Sequence, residues 1–159
     1  ESENNNYKHS NSYNEKSYNT NRNDANSLNN RNDKVVYNIY SSANKNRNIA
    51  YNEVNELNKQ GIDASIIEED GYYKVLIGSS NNLETAKSKC KSLSNKINRE
   101  AYILGYDSEV EDILKNVKYY IDLGELGEAK KELFKIKDKI NNTGYDRYKK
   151  QYNELYSII

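Results

Sequence analysis

The chain has 159 residues, and its 24 lysines and arginines are balanced by 24 aspartates and glutamates, so the formal net charge is zero. That balance argues against a nucleic-acid partner, which ordinarily calls for a clear basic excess, and no stretch approaches the roughly 18 to 20 apolar residues of a membrane span. A single cysteine, Cys90, rules out an internal disulfide, and Tyr supplies 16 of the aromatics against one Phe, so any one Tyr is weak evidence of selection.

Residues 1–33 are rich in Asn and Ser, with Leu28 their only aliphatic side chain larger than Ala. Such a segment cannot bury enough apolar surface to offset a backbone ordering cost of about 1 to 2 kcal/mol per residue, which predicts a flexible tether. Tyr7, Tyr13 and Tyr18 within it read as compositional drift, and His9, the only histidine, has no partner that would make it a metal ligand or a base. The chain contains no Met, which leads to the expectation that it follows a removed signal or membrane anchor.

From Val35 the alternation has period two, with Val35, Tyr37 and Ile39 on one side and Val36, Asn38 and Tyr40 on the other. A polar turn at Ser41-Ser42 follows, then a helix from about Asn46 to Gln60 carrying Ala50, Val54 and Leu57 and stopped by Gly61. Ile62 to Glu68 predicts a second strand, and Asp70-Gly71 marks a hairpin into a third over Tyr72 to Gly78. Tyr73, Val75 and Ile77 are expected toward the helices, with Tyr72, Lys74 and Leu76 opposite. After Ser79-Ser80, a second helix over about Leu83 to Ile97 carries Ala86, Cys90, Leu93 and Ile97, and Ala101 to Leu104 forms a fourth strand. Ala50 and Leu57 answer Ala86 and Leu93 at one shared offset, so the two halves read as an internal duplication. Two such units predict an α+β, ferredoxin-like β-α-β-β-α-β domain over residues 34–106, with strand order 4-1-3-2 and both helices on one face. The other face is expected to stand open, showing Val36, Asn38, Tyr40, Tyr72, Lys74, Leu76 and Tyr102.

Residues 107–159 change to helical periodicity. Val110, Ile113, Leu114, Val117, Tyr120 and Ile121 form one apolar stripe, which resumes after Gly124 to Gly127 with Ala129, Leu133, Ile136 and Ile140. A last helix is predicted from Tyr145, Tyr148, Tyr152, Leu155, Tyr156 and Ile159. The wording from Tyr120 to Ala129 is similar to the turn of a tetratricopeptide unit, so the extension is read as a helical hairpin plus one further helix.

The duplicated pattern resembles the SPOR domain over residues 34 to 104. Tyr73-Lys74-Val75-Leu76-Ile77-Gly78 matches the Tyr-Arg-Val-x-Val-Gly strand of that family, and Ala50, Leu57, Gly61 and Ala86 fit its helix positions. The first strand departs from Val-Gln-Val-Gly-Ser-Phe: Asn38 stands for the Gln, Tyr40 for the Gly, Ser41 for the Ser and Ser42 for the Phe. The resemblance implies an extracytoplasmic, non-catalytic module of a division or sporulation protein that binds peptidoglycan glycan strands stripped of stem peptides. On that basis Tyr40, Tyr72 and Tyr102 are expected to stack on sugars, Asn38 and Ser41 to hydrogen-bond, and Lys74 to meet a carboxylate or carbonyl, with Leu76 alongside. Contact with a membrane is expected only through an anchor outside this sequence.

No catalytic arrangement competes with this. The only His lies in the tether, Cys90 falls on an apolar helix stripe, and Glu68, Glu69 and Asp70 read as a solvated turn rather than an acid/base pair. No phosphate loop or metal spacing is present, so no cofactor or metal is expected. The main alternative is a protein-interaction module, in which residues 107–159 dock an envelope partner and the altered sheet no longer binds glycan. An RNA-recognition role on the same topology is disfavoured by the charge balance.

Overall fold

A computed structural model describes residues 34–159; the expected tether, with His9 and its three tyrosines, lies outside them. The described chain forms two compact units that meet between Ile103 and Leu104. Their elements in order are β1 (Val35–Asn44), α1 (Arg47–Lys59), β2 (Ser65–Glu69), β3 (Tyr72–Ser80), α2 (Leu83–Ile97) and β4 (Tyr102–Asp107), then α3 (Ser108–Asp122), α4 (Leu126–Phe134) and α5 (Asp146–Ile158).

The sheet is four-stranded and antiparallel in the order β2-β3-β1-β4, the predicted 4-1-3-2 arrangement. Its core lies on the helix side. Ile39, Ile66, Val75 and Ile77 from the strands meet Ala50, Val54 and Leu57 of α1, while Cys90, Leu93 and Ile97 of α2 pack against the cluster half-buried. Each large aliphatic side chain withdrawn from water here contributes about 1.5 to 3 kcal/mol. Gly78 permits the closest approach: a Cβ there would meet Leu93 Cδ1 at 3.2 Å and Ile39 Cδ1 at 3.5 Å.

Local signals set the helix limits. The Asn46 side chain caps α1 by accepting from the Asn48 and Ile49 amides, at 2.8 and 3.3 Å. At its other end Gly61, with φ +83°, donates to Asn58 O while Ile62 donates to Leu57 O, both at 3.0 Å, which closes the last turn and returns Ile62 to the core. Asn82 caps α2, and Asn98 takes the left-handed conformation that ends it. Asp70 and Gly71, with φ 55° and 78°, make the expected two-residue hairpin between β2 and β3.

Several boundaries differ from expectation. Ser41-Ser42 and Ser79-Ser80 are not turns, because β1 runs on to Asn44 and β3 to Ser80. The pairing steps from Ile39↔Gly78 to Tyr40↔Leu76 and then to Ser42↔Val75, so Ile77 and Ser41 are bulged residues, and this lets the strand pair continue past the polar stretch. β2 begins at Ser65 rather than Ile62, since Asn58 Oδ1 accepts from the Ala64 amide at 3.0 Å and holds Ile62 to Ala64 as a loop that buries Ile62 and Ala64 and exposes Asp63. β4 starts at Tyr102 and runs to Asp107 instead of ending at Leu104.

In the second unit α3 and α4 pack as a helical hairpin. Its turn is made by Gly124, φ +80°, which donates to Ile121 O at 2.9 Å while Glu125 donates to Tyr120 O at 2.8 Å. The apolar stripe of α4 does not continue as helix: after Phe134 the chain tightens, and Ile140 sits on a 3₁₀ turn over Lys139–Asn141. Val110, Leu114, Val117, Ala129, Leu133, Ile136, Ile140, Tyr145, Tyr148, Tyr152 and Leu155 form its buried set.

Candidate functional site

Because Tyr40 pairs with Leu76, and Tyr72 with Glu69, the sheet face turned away from the helices carries Asn38, Tyr40, Tyr72, Lys74 and Leu76 together, as the alternation predicted. A continuous strip crosses all four strands. The Tyr102 ring of β4 lies 5.7 Å from that of Tyr40 on β1, tilted by 35°. Lys74 Nζ of β3 is 5.8 Å from the Tyr40 ring centroid on the same face, and it reaches Glu69 of β2 at 2.9 Å and Asp70 at 3.8 Å. Lys45 Nζ stands 5.6 Å from the ring of Tyr72.

Exposure divides these residues. Tyr72 is 37% exposed and Tyr102 36%, whereas Tyr40 and Leu76 are fully buried and Lys74 nearly so. The sequence expected a face open throughout, and that expectation is corrected here: the Tyr102 ring and the Lys74 side chain close against the Tyr40 ring, so Tyr40 is a support for the strip and not a free stacking surface. Lys74 differs as well, because its ammonium group is committed to Glu69 and Asp70, the compensation a buried cation requires. Burial raises the Tyr102 hydroxyl above its ordinary value, and the charges of Glu69 and Glu53 push it further in the same direction.

Ser41 does not belong to this face. Alternation with Ile39 already puts it on the helix side, and the bulge brings Ser42 to that side too, so that Ser41 Oγ and Ser42 Oγ both donate to Glu53, the latter at 2.7 Å. Glu53 is also held by Arg99. A bulge places two successive side chains on one side, which plain alternation cannot anticipate.

Two polar atoms on the strip's own face are buried without a partner. Asn38 Nδ2 donates to the Tyr40 hydroxyl at 3.2 Å, but Asn38 Oδ1 meets no donor. Ser65, opposite Leu76 in the pairing, has an unpartnered hydroxyl. Sequence reading missed Ser65; its place two residues before Ile67 and four before Glu69, on the same alternation, was the available signal. Unmet buried polar groups of this kind cost about 1 to 3 kcal/mol each.

Of the hairpin carboxylates, Glu69 and Asp70 serve the ion pair with Lys74. The Cys90 thiol donates to Ala101 O at 3.3 Å, and burial raises its pKa, which disfavours the reactive thiolate. Among the described residues no group of His, Cys, Asp or Glu could hold a metal ion, and no helix is long and apolar enough to cross a membrane.

Comparison with curated proteins finds no match. Among solved structures the chain is similar to the peptidoglycan binding domain of the B. subtilis cell wall lytic enzyme CwlC, with 22% identity and a TM-score of 0.40, over 46% of this chain and 91% of that one. The family model of the SPOR domain matches residues 21–104, just over half of the chain, and takes in both β-α-β halves. With that match added to the duplicated strands and helices, the chain belongs to the SPOR domain family.

Proposed function

We propose that this chain is a non-catalytic module that binds the bacterial cell wall outside the membrane, and that it holds peptidoglycan glycan strands against the sheet face opposite the helices. The observation that carries this is the pair Tyr72 and Tyr102: on a face of this family's sheet, two tyrosines keep more than a third of their surface exposed while being anchored, Tyr102 by Tyr40 and Tyr72 beside Lys45. Flat aromatic surfaces suit the C–H faces of sugars, and each such contact is worth about 1 kcal/mol. Micromolar affinity requires about 8 kcal/mol, so both tyrosines act together with polar contacts. Asn38 brings an unpartnered acceptor to the same face, suited to a hydroxyl or an acetamido N–H. Tyr40, Lys74 and Leu76 hold that surface in shape. A role in division or sporulation follows from the family resemblance.

The test is co-sedimentation of the chain with purified sacculi, before and after an amidase removes the stem peptides. Binding should rise on stripping and should fall with Tyr72→Ala and with Tyr102→Ala, two exposed positions where the fold is preserved. Equal binding before and after stripping would reject the glycan strand as the ligand. Binding indifferent to both substitutions would move the site off this face.

A further inference from the structure

The helical unit carries a surface outside the sheet face proposed for wall binding. Phe134, the only phenylalanine, sits at the end of α4 with 48% of its surface exposed, and Tyr156 on α5 is equally exposed. Their rings lie 6.4 Å apart at 30°, and Tyr156 stacks on Tyr152 at 6.0 Å and 10°. Three rings therefore run in a row across two helices. Lys130 Nζ is 6.0 Å from the Phe134 centroid and 5.9 Å from that of Tyr156, and Lys137 Nζ is 5.8 Å from Phe134.

The charges of the neighbouring lysines are balanced: Lys131 pairs with Glu128 at 3.2 Å and Lys135 with Glu132 at 2.5 Å. Among the described residues, Lys130 and Lys137 have no carboxylate in ion-pair range. Two uncompensated cations thus rest on the exposed rings of Phe134 and Tyr156 in a chain whose total charge is zero. We infer that this α4–α5 surface docks an acidic segment of a partner protein, with a bulky apolar side chain against Phe134 and Tyr156 and flanking carboxylates on Lys130 and Lys137. Cations already held over rings need little further ordering to meet a carboxylate, and aromatic residues beside such cations are the usual anchors of protein interfaces. A glycan fits less well, because a sugar needs a whole ring face, and Tyr152 occupies one face of Tyr156 while both lysines lie at Phe134. An anionic bilayer fits less well because the chain as a whole carries no net positive charge to draw it to such a surface.

This docking does not depend on the sheet face, and the test separates the two. A displayed library of random twelve-residue peptides is panned against the whole chain. Enriched sequences should carry at least two acidic residues beside a Leu, Ile, Phe, Tyr or Trp, and their affinity should fall by roughly tenfold for the K130E/K137E double variant and for Phe134→Ala. Sacculus binding and the thermal melt should be unchanged in the double variant, since both lysines are surface groups. No enrichment, or neutral and basic sequences, or peptides that bind the double variant equally well, would overturn the inference. So would binding to phosphatidylglycerol vesicles or to stripped glycan strands that is lost in the double variant, which would give the surface to another class of ligand.

Discussion

Two tyrosine clusters in this chain are built from the same chemistry and end differently. In the helical unit the Tyr145 hydroxyl donates to Asp107 at 2.7 Å, and the Tyr148 hydroxyl donates to Glu111 at 2.6 Å while accepting from the Asp107 amide at 2.9 Å. Asp107 also caps α3 through the Glu109 and Val110 amides and lies 3.3 Å from Lys139. The two rings are buried edge to face, 5.3 Å apart. On the sheet, by contrast, Tyr40 is buried but Tyr102 and Tyr72 stay partly open, and Asn38 and Ser65 keep unmet polar atoms. Where the hydrogen-bond inventory closes around a tyrosine, its role is structural; where rings remain open beside unmet acceptors, the surface is free for a ligand.

The sharpest way to break that contrast is Tyr40→Ala. If Tyr40 supports the strip from within, the substitution should cost about 3 to 5 kcal/mol in urea denaturation, as other large-to-small changes at buried aromatics do. A cost below about 1 kcal/mol would mean that Tyr40 is available to ligand after all. Next comes Asp107→Ala, which removes the cap of α3 and leaves the Tyr145 hydroxyl without its acceptor; together these should cost about 2 to 4 kcal/mol.

Tyr148 sharpens the same side through pH. Burial first, and the hydrogen bond to Glu111 second, raise its pKa well above the ordinary 10.0. The unfolded chain therefore gives up this proton before the folded one does. The stabilisation is complete below pH 10 and is lost as pH climbs from there toward the folded value. Denaturation midpoints taken between pH 8 and 11 should fall at the alkaline end, and Tyr148→Phe should start lower, by about 1 to 2 kcal/mol, but decline less steeply. The smallest effect on stability is expected for Tyr72→Ala and Tyr102→Ala, within about 1 kcal/mol of the parent chain, although each should weaken sacculus binding by roughly fivefold. A large loss of stability at either position would place these rings with the structural tyrosines.

Most of the architecture was readable because its signals are local. Gly61 ends α1, Asp70-Gly71 turns the hairpin, and Ala50, Val54 and Leu57 mark the buried side of a helix, each through a conformational preference or a period that neighbouring residues alone decide. The faces of β3 were also correct, with Val75 and Ile77 in the core and Lys74 opposite. The candidate site was legible as a set of residues on a face but not in its state. Nothing near Tyr40 in the chain announces that Tyr102, 62 positions on, closes against it, or that Lys74 is bound to Glu69.

The amino-acid pattern by itself therefore determined the duplicated topology, the strand order and the side of the sheet on which each aromatic falls, since period and turn chemistry act over a few residues. Only the tertiary structure decided that Ser41-Ser42 stays in the strand through a bulge and turns to Glu53, that Asp107 becomes the buried centre of the helical unit, and that Tyr72 and Tyr102, rather than Tyr40, remain open. Those outcomes depend on partners distant in the chain, and burial and hydrogen-bond satisfaction are settled only when such partners meet.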